Sequence, residues 1–508
     1  MSETEKSLRF KGYFDIAIKA CLLLLVFASP LSIAGTQIAW SFALLFWLLR
    51  LIVYRPRIRR EKVEIALFVF LGLTVVSSIF SYEPVISIRK LVPVGLVSIA
   101  YLIAEQAKNE KFRRWAVALL LAGCFVSVLG TLFFLARGQN LKVIAMTPDS
   151  PLRTAGVIEG DTLWRMDGRG MNTPADVQAV NARHPGGSDA EITWYRHELV
   201  ITGMVRVGDY NGGDGDLGLG VTDWQRGRDT RASGFYGHYV TYAEMLQLVT
   251  ALAIGLFLTF SGGFTRKRMV LAVAIVGYGV SLFLTITRAS WAGLAASTAV
   301  MLMIGRSRKT VLIAAALAIP VALGSLWYLQ QKRQVGVVDT SDGSTQWRLI
   351  VWQEAGNIIV SRPRNILVGV GMDSILKRWP EWHMFQNGQI PLGHMHSDYI
   401  EIAFERGIPT LIAWLAWLAI YLSILWRGFR QGNFGWPERG ILLGAFGGTI
   451  GLLVAGLVHY NWGDSEDAMA FYAIMGLALG TLRSRSTIGE DCNGSDKEHR
   501  HEQVLSGS

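Results

Sequence analysis

Long apolar runs constrain the fold of this chain more than any other feature. A helix needs roughly 20 consecutive apolar residues to cross the hydrocarbon core of a bilayer, and the sequence offers about twelve such runs. Only 17% of its residues are charged, whereas soluble domains average about 25%. The sequence therefore predicts an all-α polytopic membrane protein with about 12 transmembrane helices.

Two long polar segments divide the predicted spans into groups of five, four and three. The spans are predicted at 13–34, 37–54, 63–81, 88–105, 114–137, 239–260, 268–287, 290–305, 309–329, 407–426, 438–460 and 465–482. The corresponding regions are membrane helices in 1–137, a folded insert in 138–207, a linker in 208–238, membrane helices in 239–329, a large loop in 330–406, membrane helices in 407–482 and a tail in 483–508. The tail is polar and rich in Ser and Gly, so we expect it to be disordered.

The charges of the short loops predict the orientation of the chain. Basic clusters at 55–62, 108–114, 266–268, 306–309 and 427–439 alternate with acidic or neutral loops. Cytoplasmic loops carry an excess of Lys and Arg, so we expect both termini in the cytoplasm and both long polar segments in the periplasm. Because the net charge of +10 resides mostly in these loops, it does not indicate a nucleic-acid partner.

The insert at 138–207 has the pattern of a folded α+β domain. A short helix closed by Gly156 is followed by a turn at Gly160, a strand, a turn at Gly168, a second helix and an alternating strand. This order resembles a bacterial PDZ domain. The carboxylate-binding loop of such domains matches poorly at 137–142, while a Leu-Gly-Leu-Gly pattern at 217–220 either completes the domain or leads into the next span. A peptide or protein ligand and a purely structural docking role both stay open.

Four blocks beyond the insert place charged or titratable groups beside apolar spans on the predicted outer face. They are Arg231–Phe235 with His238, Thr285–Gly293 around Arg288, Arg348–Ala355 with Trp352 and then Gly369–Gly371, and His394 with His396–Gly407. Such groups are costly near a membrane and usually functional. In this order the blocks resemble the O-antigen ligase and polymerase family of membrane glycosyltransferases.

The resemblance implies a fold and an activity. The fold would be the GT-C architecture, located in the bacterial inner membrane. The activity would be transfer of a glycan from undecaprenyl diphosphate to a lipid A core sugar hydroxyl at the periplasmic face, with no cofactor and no metal. The implied partners are the undecaprenyl-diphosphate-linked glycan donor, a lipid A core or growing glycan acceptor, and membrane lipid.

Carried onto this sequence, the functional trio of the family is Arg231, Arg348 and His396. Guanidinium groups bind phosphate oxygens bidentately, and imidazole titrates near neutral pH. The arginines would therefore hold the diphosphate, and His396 would take the proton from the acceptor hydroxyl. Further candidates for donor binding are Arg288, His394, His238 and Trp352.

These residues also have structural alternatives. His394 rivals His396 as the base, and Arg348 could instead form an ion pair with Glu354 or Asp342. His238, which follows Arg231 at the start of the next span, could serve only to orient Arg231.

Other functions also stay open at this point. A polymerase and a protein O-oligosaccharyltransferase would use the same chemistry, while a lipid-linked glycan transporter and a PDZ scaffold would not be enzymes. A transporter is expected to carry broken helices at the midplane, whereas the charges here cluster at one surface. An intramembrane metalloprotease is disfavoured because the string at 197–201 lacks a second histidine one helical turn after His197.

The predicted orientation can be tested with reporter fusions. Alkaline phosphatase is expected to be active when fused after Asp189 or Asn387, because both positions lie in predicted periplasmic segments. It is expected to be inactive when fused after Arg268 or Arg430, in predicted cytoplasmic loops. Activity from the latter two fusions, at equal expression, would contradict the orientation.

Overall fold

The computed structural model describes residues 3–484 except 55–60, 186, 197–198, 214, 229–230, 264, 306–323 and 325–342. Nearly all of the span predicted at 309–329 lies outside the described residues, as do His197, Asp342 and the predicted tail from 485 onward. The described chain is mostly helical, with one β-sheet inserted between two groups of helices.

Seven helices precede the sheet in the described chain. They are α1 Glu3–Ala28, α2 Ile33–Tyr54, α3 Lys62–Ile79, α4 Pro84–Arg89, α5 Leu91–Val94, α6 Ser98–Gln106 and α7 Glu110–Arg137. Helix α7 begins after Asn109, whose side chain accepts the Phe112 N–H at 3.1 Å and thereby satisfies one of the free amides of the first turn. It ends at Gly138, whose φ of +78° turns the chain into the insert.

The insert consists of an antiparallel sheet and two short helices. In chain order they are β1 Gln139–Met146, α8 Pro151–Thr154, β2 Thr162–Met166, β3 Arg169–Gly170, α9 Pro174–Asn181, β4 Ser188–Arg196, β5 Leu199–Val207 and β6 Val221–Gly227. The strand order is β5-β4-β2-β1-β6, with β3 paired to β2. The alternating residues Leu141, Val143, Leu163 and Ile192 are buried in its core, as the two-residue period of strands requires.

The domain extends beyond the boundary predicted at 207. Strand β6 pairs with β1 from Gly227 opposite Gln139 to Val221 opposite Met146. The Leu-Gly-Leu-Gly segment leads into this strand: Leu219 is buried, and the Asp216 carboxylate accepts the N–H groups of Gly218 and Gly220, each at 2.8 Å. The boundary was placed too early because β6 has exposed polar side chains at most positions and lacks an apolar alternation.

The second group of helices follows the sheet. It comprises α10 Tyr239–Thr259, α11 Arg266–Leu284, α12 Arg288–Gly305, α13 Gly343–Ser361, α14 Pro363–Val368, α15 Ile375–Arg378, α16 Asp398–Arg406, α17 Ile408–Gln431, α18 Trp436–Ala455 and α19 at 465–484. Helix α10 is central and packs closely on α18, because a Cβ on Gly255 would lie only 2.4 Å from the Gly444 nitrogen. Small residues allow this approach between helices in a membrane.

Eight helical segments among the described residues are long and apolar enough to cross a membrane. They are α2, α3, the α4–α6 segment, α7, α10, α11, α17 and α18. The protein is therefore a multi-pass membrane protein. Three other predicted spans are helical, at α1, α12 and α19, but are not among the eight. The total of about twelve spans stays a prediction.

Residues 343–406 of the segment predicted as a large loop are folded on a core of their own. Buried residues of this core include Val351, Val370, Phe385, Met395 and Phe404. The Val370 N–H donates to the Phe404 carbonyl at 2.9 Å, and the Gly371 N–H donates to the Glu405 carbonyl at 2.8 Å. A Cβ on Gly369 would lie 2.3 Å from the Glu405 carbonyl carbon. This contact explains Gly369, since only glycine allows the backbone to approach α16 so closely, while a Cβ on Gly371 would clash with the side chain of Ser81.

The pairing of β6 with β1 predicts which fragment of the chain folds as a stable domain. A fragment of residues 138–228 should fold stably, whereas one ending at 207 should lose at least about 3 kcal/mol, because Leu219 and Val221 no longer cover the core. Thermal unfolding followed by circular dichroism would measure the difference. Equal melting temperatures for the two fragments would show that β6 is dispensable.

Candidate active site

Four segments far apart in sequence bring titratable groups together. His238 precedes α10, His394 and His396 precede α16, His459 follows α18, and Arg348 lies on α13. The His394 and His396 rings have centroids 4.1 Å apart. Burial, together with the positive charge of Arg348, lowers the pKa of His394, His396 and His459. The site predicted from Arg348, His394 and His396 is therefore one cluster, with His238 and His459 at its edge.

The backbone of Met395 fixes the orientation of the two neighbouring histidines. Met395 is fully buried. Its N–H donates to Glu401 Oε2 at 2.5 Å, and its carbonyl accepts the Trp352 Nε1–H at 2.6 Å. His396 has a φ of +48°, a left-handed conformation uncommon for a residue with a Cβ. Such strain persists where the surroundings over-determine it, as in active sites.

The start of α16 ties the His396 segment to the segment that carries His459. The Asp398 N–H donates to the carbonyls of Gly456 at 2.8 Å and His459 at 3.0 Å. In return, the Trp462 N–H donates to Asp398 Oδ1 at 2.9 Å. Because Asp398 is fully buried, these bonds are shielded from water and hold the two segments in one arrangement.

Burial, the adjacent His394 and Arg348 lower the pKa of His396 to about 3. The pKa of His394 falls to about 4, mainly through burial and further through His459, His238 and Arg348. Both imidazoles are therefore neutral near pH 7 and able to accept a proton. His394 Nδ1 already accepts the His396 backbone N–H at 3.2 Å, which leaves the hydrogen of the neutral ring on Nε2. This bond favours His396 as the base.

Arg231 lies where the insert meets the start of α10. Its guanidinium carbon stands 4.3 Å from the ring centre of Tyr239, and its charge acts on the phenol of Tyr195 in β4. The adjacent Ala232 N–H donates to the carbonyl of Leu284, at the end of α11, at 3.0 Å. Arg231 is thus anchored on the His238 side of the cluster, since the rings of Tyr239 and His238 are 5.5 Å apart.

His238 caps α10 and connects to an acidic residue. Its Nδ1 lies 2.9 Å from Thr241 Oγ1, and that hydroxyl donates to Asp464 Oδ2 at 2.8 Å. Burial lowers the pKa of His238, which favours a neutral ring. The described bonds of His238 are those of a capping and orienting residue.

The remaining predicted residues have different surroundings. The indole N–H of Trp352 binds the Met395 carbonyl, so the residue positions the histidine segment. Arg288 is half-buried at the start of α12. Both carboxylate oxygens of Glu354 accept backbone N–H groups, from Phe385 at 2.7 Å and Gln386 at 3.0 Å, while Asp342, the other suggested partner of Arg348, lies outside the described residues.

The sequence interpretation missed His459. Its Nδ1 lies 2.6 Å from Glu244 Oε1 in α10, and only 9% of the residue is exposed. Burial, together with the charge of Arg348, lowers the pKa of His459 to about 3. The prediction placed it inside the span 438–460, but α18 ends at Ala455. The signal was present, because a titratable residue within an apolar run indicates function.

Comparison with known proteins identifies the region that carries the cluster. Residues 271–415 match the family described as O-Antigen ligase, which confirms the resemblance for the last three of the four blocks and leaves the first, with Arg231 and His238, outside the match. The match includes Arg348, His394 and His396 and leaves the insert outside. The chain is also 32% identical over 81 residues to the magnetosome formation protease MamE of Magnetospirillum gryphiswaldense. That match covers 16% of this chain and 9% of the relative, so the chain spans less than a tenth of the relative's length.

The low pKa of His396 can be tested without an activity assay. In the ligand-free protein, histidine-selective ¹⁵N NMR should show a ring that stays neutral down to about pH 4, assigned by its loss in His396→Gln. Arg348→Gln removes a positive charge that disfavours the imidazolium, so it should raise the pKa of His396. Titration of this ring at pH 6 to 7 in the unsubstituted protein would refute the electrostatic description of the site.

Proposed function

We propose that this chain, whose residues 271–415 belong to the O-antigen ligase family, transfers a glycan from undecaprenyl diphosphate to a lipid A core sugar hydroxyl. The reaction would take place at the periplasmic face of the inner membrane. The observation that carries the proposal is the position of Arg348 beside the rigid His394–His396 pair. A cation next to a neutral base suits a reaction with an anionic leaving group and a hydroxyl nucleophile.

The reaction consists of one displacement at the anomeric carbon of the donor glycan. His396 accepts the proton of the acceptor hydroxyl as its oxygen forms a bond to that carbon. The bond from the carbon to the diphosphate oxygen breaks, and the electron pair leaves with undecaprenyl diphosphate. Arg348 and Arg231 bind the diphosphate and stabilise its additional negative charge. The proton on His396 then passes to solvent or to the released diphosphate.

Donor binding would raise the pKa of His396 and make it a stronger base. Without the donor, burial and the charge of Arg348 hold the pKa of His396 at about 3, which makes it a weak base. A bound diphosphate brings negative charge that offsets Arg348, so the pKa of His396 should rise toward neutrality. A base works best when its pKa lies near the operating pH. Proton transfer would therefore become efficient only when the donor is present.

The neighbouring residues would have supporting roles. The N–H on Nε2 of His394 can donate to the donor or the acceptor, while its Nδ1 holds the His396 backbone. Trp352 and Glu401 hold Met395 between the two histidines. Arg288 would add a further cation for the donor.

A polymerase uses the same displacement and differs only in the acceptor. It would extend a second lipid-linked glycan instead of modifying a lipid A core sugar. The assay below therefore offers both acceptors, and the one that is used decides between the two activities.

The assignment of the base predicts the effect of substitutions. His396→Ala should reduce glycan transfer by about 10²–10⁴-fold, the usual contribution of a general base. Arg231→Lys and Arg348→Lys should each impair transfer, because lysine keeps the charge but loses the planar fork. His394→Ala should have a smaller effect. The measurement is transfer from purified lipid-linked donor in membranes, at matched protein levels and with and without EDTA.

His184→Ala is the matched control. It removes a histidine of the insert that binds Ser188 and Asp167, and it should leave transfer unchanged. Near-normal turnover of His396→Ala, or a larger loss in His394→Ala, would refute the assignment. Loss of activity with EDTA would show that the reaction needs a metal.

A further inference from the structure

A second indole of α13 reaches the segment that carries the histidine pair. Trp347 immediately precedes Arg348, and its Nε1–H donates to the carbonyl of Pro391 at 3.1 Å. A Cβ added to Gly393 would lie 3.4 Å from two carbons of the same ring, so the indole lies against the backbone of this segment. The ring also packs on the fully buried Phe385, with centroids 6.1 Å apart. Several contacts therefore set the position of the indole.

Trp347 contacts the proposed base directly. Its ring and that of His396 have centroids 5.0 Å apart and planes inclined at 77°, an edge-to-face arrangement that aromatic rings prefer. His394 is a second ring neighbour of His396, with centroids 4.1 Å apart. Rotation of the His396 imidazole about its side-chain bonds would disturb both contacts. The two neighbouring rings therefore restrict the imidazole to one orientation.

Two indoles of one helix hold the histidine segment at two points. Trp352 donates to the carbonyl of Met395 at 2.6 Å, and Trp347 donates to the carbonyl of Pro391, earlier in the same segment. Arg348 belongs to the helix that carries both indoles. The two bonds therefore fix the histidine segment relative to the backbone of this arginine.

We propose that Trp347 is a positioning residue that fixes the orientation of the His396 imidazole for proton transfer. Displacement of a reacting group by about 1 Å can cost about 10²-fold in rate. In the proposed mechanism the arginines bind the donor diphosphate, so the loss of Trp347 acts on the chemical step and not on donor binding. This effect on the rate rests on the proposed function, whereas the orientation of the ring is a property of the free protein and is measured without donor.

The first test is glycan transfer from purified lipid-linked donor by the full-length protein. W347M fills the space of the indole with a flexible apolar side chain that has neither a ring nor an N–H donor. It should lower kcat by about 10- to 100-fold and leave the KM for the donor unchanged. W347F keeps a ring beside His396 and loses the bond to Pro391, which limits the expected loss to about fivefold.

W115M is the matched control. It removes an indole of α7 that is 63% exposed, and it should leave kcat unchanged.

The second test uses histidine-selective ¹⁵N NMR of the same variants without donor. The ring signals of His396 are assigned by their loss in His396→Gln and report which ring nitrogen carries the hydrogen. The unsubstituted protein, W347F and W115M should show one neutral tautomer, because the ring is held in one environment. W347M should show signals averaged between Nδ1 and Nε2, because the released ring exchanges its hydrogen with water.

Several outcomes would overturn the positioning role. Unchanged kcat in W347M, or a His396 signal in W347M like that of the unsubstituted protein, would show that the contact does not orient the ring. Equal loss in W347F and W347M would show that the aromatic contact is irrelevant, and a raised KM at unchanged kcat would assign Trp347 to substrate binding. If the unsubstituted protein transfers no glycan while W347M still releases the His396 ring, the proposed function fails and the positioning role stands.

Discussion

The geometry of the site depends on the burial of one apolar residue between two histidines. Met395 is fully buried, and both of its backbone polar groups are bonded inside the protein, to Glu401 and to Trp352. An unpaired buried backbone group would cost about 1–3 kcal/mol, so the segment has little freedom to rearrange. His394 and His396 flank this anchor, and their ring centroids lie 4.1 Å apart. The left-handed conformation of His396 is tolerated because these contacts leave no alternative.

A second constraint is the cost of placing ionisable groups away from water. His459 and Glu244 are both buried and share a hydrogen bond of 2.6 Å, and Asp398 is buried with its Oδ1 bonded to a backbone N–H. Buried polar groups are costly unless they are hydrogen-bonded. These bonded groups lie behind the histidine pair and connect α10, α16 and the segment after α18. A polar layer of this kind keeps His394 and His396 at a fixed depth beside Arg348.

How far the sequence predicts this arrangement differs from element to element. Hydropathy located the long helices, and the blocks around Arg348 and His396 indicated residues that lie together in the structure, because both signals are local. The pairing of β6 with β1 depends on contacts between residues far apart in sequence, and a strand with exposed polar residues gives no periodic signal. His459 was overlooked because the span was predicted to continue to residue 460, whereas α18 ends at Ala455. Gly369 and Gly371 were noticed, but their reason appears only in the fold, where the backbone of α16 lies against Gly369 and the side chain of Ser81 lies against Gly371.

The insert is joined to the site more closely than its position in the sequence suggests. Its last strand pairs with its first, so the two points where the chain enters and leaves the insert lie side by side, with Gln139 opposite Gly227. The exit leads within a few residues to Arg231, whose charge acts on Tyr195 in the sheet and whose guanidinium lies over Tyr239 at the start of α10. Arg231 thus connects the sheet to the start of α10. In the proposed mechanism, the insert would help to position this arginine without contributing a residue to the histidine pair.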